Sequence, residues 1–362
     1  MFTQTARRVT AALDAFAAPH GIDRYVEQVA PTWSSTEVRG RIVEVDRSAA
    51  GSVVLTIEAN RNWTGFRAGQ HTQLTVEIDG VRHTRSYSMA SAATAGGRRF
   101  QLGIKAHPEG LVSRHLLAHA APGMVVGLTP AGGDFHLPDA RPERILLVSG
   151  GSGITPVMSM LRTLCAEGHQ GPVTFLHYAT RPEAMLFRDD VLALAAAHRN
   201  VTVVTAFNEA PEAGDLTGFC DTAHLDVADP MWRDAEAFVC GPAPLMDSVR
   251  ALYDEAGAPD RFHQEAFTLP ILIGESGTGG GIVRFGASDL TVESDGRPLL
   301  DQAEAAGLSP QHGCRMGICH TCTRSLACGT VRDAVTGELT TGTDVDIRVC
   351  VSVPVGDVEI DL

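Results

Sequence analysis

The sequence contains almost no lysine: Lys105 is the single one, and the other 28 of its 29 basic side chains are arginines. Acidic residues outnumber the basic ones by 43 to 29, which gives a formal net charge of −14. This excess argues against nucleic-acid phosphates or an anionic membrane as the main partner. Long apolar runs are also lacking, and none reaches the roughly 18 residues that a membrane-spanning helix needs. Ala11–Ala18 is too short for a signal peptide and contains Asp14, so we expect a cytoplasmic protein.

The eight cysteines are unevenly placed along the chain. A cytoplasmic protein keeps its thiols reduced, so these cysteines do not predict a disulfide framework. Five of them fall in the last 50 residues, at positions 314, 319, 322, 328 and 350. This crowding predicts a separate C-terminal module with metal chemistry of its own.

The hydrophobic pattern changes along the 362 residues, which correspond to two or three domains at about 150 residues each. Six short alternating runs between residues 38 and 130 predict a small antiparallel β-barrel. From residue 143, continuous apolar runs alternate with helical patterns, which predicts an open α/β sheet. A stretch rich in Gly and Ser follows, and this composition is typical of a linker. We expect a helical extension at 1–35, the barrel at 36–140, the α/β domain at 141–267, the linker at 268–281 and a compact unit at 282–362.

The C-terminal cysteines carry the most specific signal. Three of them follow a C-x4-C-x2-C pattern and a fourth comes later, which is the plant-type ligand spacing for a [2Fe–2S] cluster. The predicted ligands are Cys314, Cys319, Cys322 and Cys350. Gly313 and Gly317 suit a backbone that wraps the cluster, because glycine takes left-handed angles. Zinc is the alternative, although its sites usually pair two C-x2-C units and only one is present. Cys328 lies outside the pattern and is interpreted as a small apolar side chain.

The unit that contains these cysteines resembles a plant-type ferredoxin domain over about 80 residues. The resemblance implies a β-grasp fold with one [2Fe–2S] centre that passes single electrons. The unit also carries twelve Asp and Glu against six Arg. This balance predicts a basic docking face on the electron acceptor and an association that weakens with salt.

Two short motifs inside the predicted barrel suit a flavin. Arg85-x-Tyr87-Ser88 ends a strand, where an arginine can pair with a phosphate and a tyrosine can lie against an isoalloxazine ring. Gly110-Leu111-Val112-Ser113 opens a helical stretch, and the N-terminus of a helix is a natural seat for a pyrophosphate.

With Phe66-x-x-Gly69-Gln70 upstream, this order of motifs resembles the flavin domain of the ferredoxin–NADP reductase superfamily. The resemblance assigns Arg85, Tyr87 and Ser88 to the flavin, and Gly110, Val112 and Ser113 to its pyrophosphate. The matching residues favour FAD as the flavin. The related phthalate-dioxygenase-reductase type uses FMN and shares the domain order, so FMN is the alternative.

A glycine-rich loop follows the predicted strand Ile145–Ser149. In the run Gly150 to Pro156 the glycines permit a tight turn close to a pyrophosphate. Thr155 is predicted to cap the helix that follows, with Pro156 at its first position. Further on, Cys240-Gly241-Pro242 ends the last strand, at the edge where open α/β sheets bind ligands.

These two motifs resemble the NAD(P) domain of the same superfamily, and Glu265-Ala266-Phe267 is similar to its terminal E-x-F. The resemblance implies that Phe267 lies near the flavin ring. The nucleotide-binding residues that follow from it are Gly151, Gly153, Thr155, Cys240, Gly241 and Pro242, and we add Lys105 to the cofactor-binding set.

The choice between NADPH and NADH depends on the group that faces the adenosine ribose. No acid stands at the end of the second strand, Val173–Tyr178, whereas Arg181 follows just beyond it. A guanidinium pairs with a 2′-phosphate, so we expect NADPH, with NADH as the alternative. Arg188 is a second candidate, Phe187 is expected to stack on adenine, and Glu183 also lies within reach of the ribose.

The domain order implies an electron-transfer reductase, in which a nicotinamide reduces a flavin and the flavin supplies single electrons to the cluster. Cys240, Ser88 and Glu265 are the candidates for shaping the hydride-transfer pocket. The expected acceptor is a terminal oxygenase, hydroxylase or desaturase, either soluble or membrane-bound; Rieske oxygenases and cytochromes P450 are served by similar reductases. The segment Ala18–Tyr25 is similar to that of actinobacterial reductases that serve fatty-acid desaturases.

Two functions of other kinds are weighed against this one. An iron–sulfur redox sensor would need an output domain, and the sequence shows no DNA-binding helix, basic patch or effector domain. An enzyme that reduces ferric chelates or oxygen directly would need only the flavin, so the appended ferredoxin unit argues against it.

Overall fold

The structure is a computed structural model that describes residues 26, 29–94, 96–108, 110–267, 281–312, 317, 321–334 and 337–362. Most of the expected N-terminal extension, including Ala18–Tyr25, and all but the last residue of the expected linker lie outside these residues. The chain divides after Glu265 into two units, each of which is described by itself. Within the described residues, no helix has the length and apolar character needed to cross a membrane.

The first sheet is antiparallel and curls into a barrel. Its strand order is β4-β3-β6-β1-β2-β5, and a bridge between Met89 and Leu102 joins the end of β4 to β5. The strands are β1 (Val38–Asp46), β2 (Ser52–Ala59), β3 (His71–Ile78), β4 (Val81–Ser88), β5 (Arg99–Lys105) and β6 (Val125–Leu128). One helix, α1 (Leu111–His119), precedes β6. The predicted barrel is confirmed.

The second sheet is parallel, with the order β11-β10-β7-β8-β9. Its strands are β7 (Ile145–Gly150), β8 (Val173–Ala179), β9 (Val201–Phe207), β10 (Glu236–Cys240) and β11 (Phe262–Glu265). The helices are α2 (Ile154–Glu167), α3 (Arg188–Ala197), α4 (Thr222–Ala228) and α5 (Ala243–Glu255). The chain runs from β7 to β8 and β9 on one side and places β10 on the other. The carboxyl ends of β7 and β10 therefore flank a topological switch point, where such sheets bind ligands.

The cap of one helix differs from the prediction. Helix α2 begins at Ile154 with Gly153 in the capping position, so the expected cap at Thr155 is wrong. The Thr155 hydroxyl instead donates to the backbone oxygen of Ser152 at 3.2 Å, inside the first turn. Helix α3 begins at Arg188 because Phe187 has a left-handed backbone, with φ of 57°, which stops the helix from starting earlier.

Helix α2 joins the barrel to the parallel sheet within the first unit. The Ser159 hydroxyl donates to the backbone oxygen of Ser91 at 2.7 Å, and Thr163 Oγ1 accepts from the backbone N–H of Ala93 at 2.9 Å. The Arg162 guanidinium donates to the backbone oxygen of Ala90 at 2.8 Å. These bonds hold the segment after β4 against the helix that follows the glycine-rich loop, so the two candidate cofactor regions keep a fixed relation.

The second unit is a mixed sheet packed against one helix, as in the expected β-grasp fold. Its strands are β12 (Ile282–Phe285), β13 (Leu290–Glu293), β14 (Thr323–Asp333), β15 (Leu339–Thr341), β16 (Val345–Arg348) and β17 (Ser352–Ile360). Strands β12 and β17 are parallel and the other pairs antiparallel. The helix α6 (Leu299–Ala305) buries Leu299, Leu300 and Ala303 in the core of this unit. The expected ferredoxin-like fold is confirmed.

Candidate functional site

The end of strand β4 presents the predicted flavin residues on both faces of the sheet. Side chains alternate along a strand, so Arg85 and Tyr87 share one face and Ser88 lies on the other. Tyr87 packs against the barrel core, and burial raises the pKa of its phenol to about 12, which keeps it neutral. The Arg85 guanidinium donates to the backbone oxygen of Thr84 at 2.7 Å. Helix α1 begins at the predicted position, with Gly110 as its cap.

Three elements meet at the carboxylate of Glu265, which ends β11. The Ser88 hydroxyl donates to Glu265 Oε2 at 3.2 Å, and His71 Nδ1 lies 3.3 Å from Oε1. Cys240 is the register partner of Glu265 in the neighbouring strand and is fully buried. Burial first and the Glu265 charge second raise the pKa of the Cys240 thiol, which is therefore uncharged. The structure thus brings together the three residues predicted for hydride transfer and adds His71.

The backbone of the glycine-rich loop contacts the backbone at the end of β10. A Cβ on Gly153 would overlap the backbone carbonyl of Cys240, and one on Gly150 would come 2.7 Å from the ring of Pro242. Gly151 has a φ of 54°, a left-handed angle that favours glycine. The two predicted nucleotide motifs therefore form one surface in the folded chain.

A cavity of about 580 Å³ opens beside this surface, at the carboxyl ends of β7, β8, β9 and β10. Lys105, the last residue of β5, reaches the same cavity from the barrel. Its lining residues are Lys105, Gly150, Gly151, Tyr178, Ala179, Thr180, Asn208, Phe219, Cys220, Pro242, Pro244, Leu245 and Ser248. The position of the cavity at the carboxyl ends of the parallel strands, together with the cationic side chain of Lys105 in its lining, suits a phosphate-bearing nucleotide.

The predicted ribose-binding residues do not share one location. Arg181 stands next to Thr180 at the cavity, is 59% exposed, and pairs with Glu209 at 2.8 Å between Nε and Oε2. Arg188, Phe187 and Glu183 line another cavity of about 470 Å³ toward the barrel. The Phe187 ring packs near Gly103 and under the Arg162 guanidinium, 4.9 Å from the ring centre. The structure therefore does not place Phe187 or Arg188 at the nucleotide cavity.

Two of the four predicted cluster ligands, Cys322 and Cys350, are buried in the second unit, whereas Cys314 and Cys319 lie outside the described residues. The backbone N–H of Gly317 donates to Cys350 Sγ at 3.3 Å, and Gly317 has a φ of 72°. Hydrogen bonds from backbone N–H groups to sulfur are what a thiolate-bound cluster requires. Cys328 is exposed on β14, so its interpretation as an apolar packing residue is wrong.

Arg348, the last residue of strand β16, holds Gly317 in place. Its guanidinium donates to the backbone oxygen of Gly317 and to Asp333 Oδ2, the latter at 2.8 Å. The glycine that donates to the Cys350 sulfur is thereby tied to the long strand β14. No motif predicts a role for this arginine, and its place two residues before Cys350 is the one pointer to it.

Three known protein families match this chain in the predicted domain order. An oxidoreductase FAD-binding domain matches residues 47–137, an oxidoreductase NAD-binding domain 147–251, and a 2Fe-2S iron-sulfur cluster binding domain 286–355. An NADPH oxidoreductase of Mycobacterium tuberculosis is 37% identical over 345 residues, which cover 94% of this chain and 88% of that protein. The chain belongs to the ferredoxin–NADP reductase superfamily.

Two further proteins are similar to this reductase over most of their length. The glycine betaine monooxygenase reductase subunit of Pseudomonas aeruginosa is 30% identical, over 82% of this chain and 87% of that protein. The solved structure of phthalate dioxygenase reductase covers 90% of this chain and 97% of its own, with a TM-score of 0.63 and 23% identity. The second likeness shows a shared multidomain fold.

The reductase is an NAD(P)H-dependent oxidoreductase with FAD, a pyridine nucleotide and a [2Fe–2S] cluster as cofactors. The match to an FAD-binding domain favours FAD over the FMN alternative, and the match to a cluster-binding domain favours iron–sulfur over zinc. The described residues fit these groups. The glycine-rich loop leaves no room for a Cβ at Gly153, as expected of a loop that approaches a nucleotide closely. The sulfur of Cys350 accepts a hydrogen bond from a backbone N–H, as expected of a cluster ligand.

Several residues of the site were not predicted. His71 follows Gly69-Gln70 at the start of β3, and only the fold brings it to Glu265. Tyr178 and Asn208 line the nucleotide cavity from the ends of β8 and β9. The rule that led to Cys240, a residue at the carboxyl end of a parallel strand, would have found these two as well.

Proposed function

We propose that the reductase oxidises NADPH and delivers the electrons singly, through FAD and the [2Fe–2S] cluster, to a terminal oxygenase, hydroxylase or desaturase. The observation that carries this proposal is the presence of all three domains in one chain. A flavin accepts a hydride and a cluster takes one electron at a time, so the fused ferredoxin unit suits an acceptor that needs single electrons. Two of the similar proteins are named as oxygenase reductases.

For the hydride pocket we assign Ser88, Glu265 and Cys240 to shaping the space between flavin and nicotinamide. The Ser88 hydroxyl is oriented by its bond to Glu265, and the uncharged Cys240 thiol closes the wall of the pocket at the end of β10. The neutral phenol of Tyr87 packs against the barrel core and keeps water from one side of the flavin region. Arg85, together with Gly110, Val112 and Ser113 at α1, is assigned to the flavin phosphates.

For the nucleotide we assign the loop at Gly151 and Gly153 to the pyrophosphate, with Lys105 as its cation and Thr155 holding the first turn of α2. Arg181 is assigned to the 2′-phosphate of NADPH, since it stands beside Thr180 at the cavity and is exposed. Its pairing with Glu209 leaves the other guanidinium nitrogens to a phosphate.

For the cluster we assign Cys314, Cys319, Cys322 and Cys350 as ligands, and residues 282–362 as the domain that holds it. Support comes from the burial of Cys322 and Cys350 and from the Gly317 N–H on the Cys350 sulfur. Phe267, which is 36% exposed, is assigned to the flavin on the ground of the E-x-F motif.

The experiment uses the purified holoenzyme with two acceptors. A two-electron dye takes electrons from the flavin, whereas cytochrome c is a one-electron acceptor. We expect NADPH to drive both reactions, and Cys322→Ser to abolish cytochrome c reduction while sparing dye reduction. Cytochrome c reduction that survives loss of the cluster would contradict the proposed electron route.

The proposed electrostatic docking of the electron acceptor on the acidic second unit can be tested with salt. The described part of the second unit keeps the acidic excess of its sequence, with acidic side chains such as Asp289, Glu293 and Asp344 exposed. We expect electron transfer to the partner oxygenase to slow steadily as salt is raised from about 50 to 500 mM. A rate that does not depend on ionic strength would refute an electrostatic docking face.

A further inference from the structure

His71 occupies a position that no motif assigns. It begins β3 and stands directly opposite Ser88 of β4 in the antiparallel register, so both side chains lie on the same face of the sheet. Both are buried, with His71 8% and Ser88 3% exposed. Both also reach the same carboxylate, Glu265, which arrives from the parallel sheet.

The two oxygens of the Glu265 carboxylate contact different neighbours. Oε2 accepts from the Ser88 hydroxyl at 3.2 Å, and Oε1 lies 3.3 Å from His71 Nδ1. The hydroxyl therefore contacts one carboxylate oxygen and the imidazole lies at ion-pair distance from the other. A polar neighbour at each oxygen restricts the rotation of the carboxylate more than the Ser88 hydroxyl alone would.

The imidazole itself is held in place. A Cβ on Gly133 would come 2.9 Å from His71 Nδ1 and 4.0 Å from Glu265 Oε1, so the turn at Gly133 packs against both groups. The backbone N–H of His71 donates to the oxygen of Gly132 at 3.0 Å, which pins the start of β3 to the same turn. The ring therefore has little room to leave the carboxylate.

We propose that His71 is a positioning residue of the hydride pocket, whose imidazole, with Nδ1 3.3 Å from Oε1, holds Glu265 in the orientation that accepts from Ser88. The inference rests on the proposed roles of Glu265 and Ser88. Without the imidazole, the carboxylate turns away from Ser88, and the pocket loses the geometry that hydride transfer needs. NADPH binding is unaffected, because the nucleotide cavity is lined by other residues, among them Lys105 and Asn208.

The test measures the rate of flavin reduction by NADPH in the holoenzyme by stopped flow, with FAD content and NADPH affinity determined for each variant. We expect His71→Ala to slow the rate by about tenfold and to leave the NADPH affinity within about twofold. His71→Asn should recover most of the rate, since its amide nitrogen stands close to the place of Nδ1. His263→Ala is the matched control: His263 lies on β11 as Glu265 does and pairs with Glu236 at 2.8 Å on the exposed side, and its removal should change nothing.

Glu265→Gln separates this inference from the proposed function. If Glu265→Gln is as fast as the wild type, the proposed role of Glu265 fails and the role of His71 fails with it. If Glu265→Gln is slow and His71→Ala is fast, only the inference on His71 is overturned. In the Glu265→Gln background we expect His71→Ala to have almost no further effect on the rate, and the two changes to be non-additive in the midpoint of thermal unfolding. Additive effects in both measurements, or an Asn variant as slow as the Ala variant, would show that His71 acts only as a packing residue.

Discussion

Gly153 lies against the backbone carbonyl of Cys240, so that a Cβ on Gly153 would overlap it and would also come 2.8 Å from the backbone nitrogen of Gly241. These residues belong to the two motifs of the nucleotide domain, one after β7 and one after β10. Because backbone meets backbone here, neither side can yield by rotating a side chain. The contact therefore fixes the glycine-rich loop against the end of β10, beside the nucleotide cavity.

Replacing Gly153 by Ala should push the start of α2 away from β10. We expect the KM for NADPH to rise by roughly tenfold and the stability of the first unit to fall by about 1–3 kcal/mol, while FAD stays bound. Steady-state kinetics and thermal unfolding measure both effects. Gly286→Ala is the control, because a Cβ there meets only ordinary contacts at 3.5 Å in the second unit.

Replacing Cys240 by Ala should slow flavin reduction without loss of FAD. The thiol is fully buried between Ser149 and Glu265 in the strand register, and its removal leaves a gap beside the hydride pocket. We expect a fall of roughly tenfold or more in the single-turnover rate. A hydride-transfer rate equal to that of the wild type would remove Cys240 from the pocket.

Replacing Arg181 by Ala should raise the KM for NADPH by roughly tenfold and leave the KM for NADH nearly unchanged, since only NADPH has a 2′-phosphate for the guanidinium to bind. Arg188→Ala should alter neither, because Arg188 lines the other cavity. Equal effects of Arg181→Ala on both nucleotides, or a wild type that prefers NADH, would contradict the assignment.

Serine at Cys314, Cys319, Cys322 or Cys350 should abolish the cluster, because each thiolate is a separate bond to iron. Iron content, visible absorption and the EPR signal of the reduced protein report the loss, and dye reduction should persist because the flavin lies in the first unit. Cys328→Ser should keep the cluster, in agreement with its exposed place on β14. Iron loss in the Cys328 variant with retention in one of the other four would overturn the ligand set.

The stability of the first unit should fall in mild acid because of His177. Its Nδ1 lies 2.8 Å from the Ser149 hydroxyl, and complete burial, aided by the charge of Lys105, lowers its pKa from the usual 6.5 to about 3. Below about pH 6.5 the imidazole takes up a proton in the unfolded chain, whereas in the folded chain it stays neutral down to about pH 3. The free energy of unfolding therefore decreases as the pH is lowered through this range. From about pH 7.5 to pH 5.5 this amounts to about 1.4 kcal/mol, which His177→Gln should abolish in urea unfolding. An equal acid loss in variant and wild type would assign the effect to other groups.

The sequence alone indicated a flavin, a pyridine nucleotide and a [2Fe–2S] cluster as the cofactors of this reductase, and the comparisons confirm these three and favour FAD as the flavin. The C-x4-C-x2-C spacing, the Arg85-x-Tyr87-Ser88 strand end and the glycine-rich loop are local patterns, since each cofactor needs several groups on one short stretch of backbone. The periodic switch from alternating runs to buried strands with helices likewise fixed the order of barrel and α/β sheet. Local patterns predicted the ends of helices less well. Helix α2 begins at Ile154, before the predicted cap at Thr155, and the residue that precedes it, Gly153, lies against the backbone of Cys240.

Only the tertiary structure decided how the residues proposed for the hydride pocket contact one another, and it added His71 to them. Ser88 and Glu265 are 177 residues apart, and their contact depends on how α2 docks the parallel sheet onto the barrel. The same docking sends Phe187 to Gly103 and away from the nucleotide cavity, which no spacing in the sequence reveals. His71 acquires a partner only because the β3–β4 register puts it opposite Ser88, and register is a property of the whole sheet. Residues close in the chain can be read from pattern, whereas residues brought together by packing depend on the free energy of the assembled core.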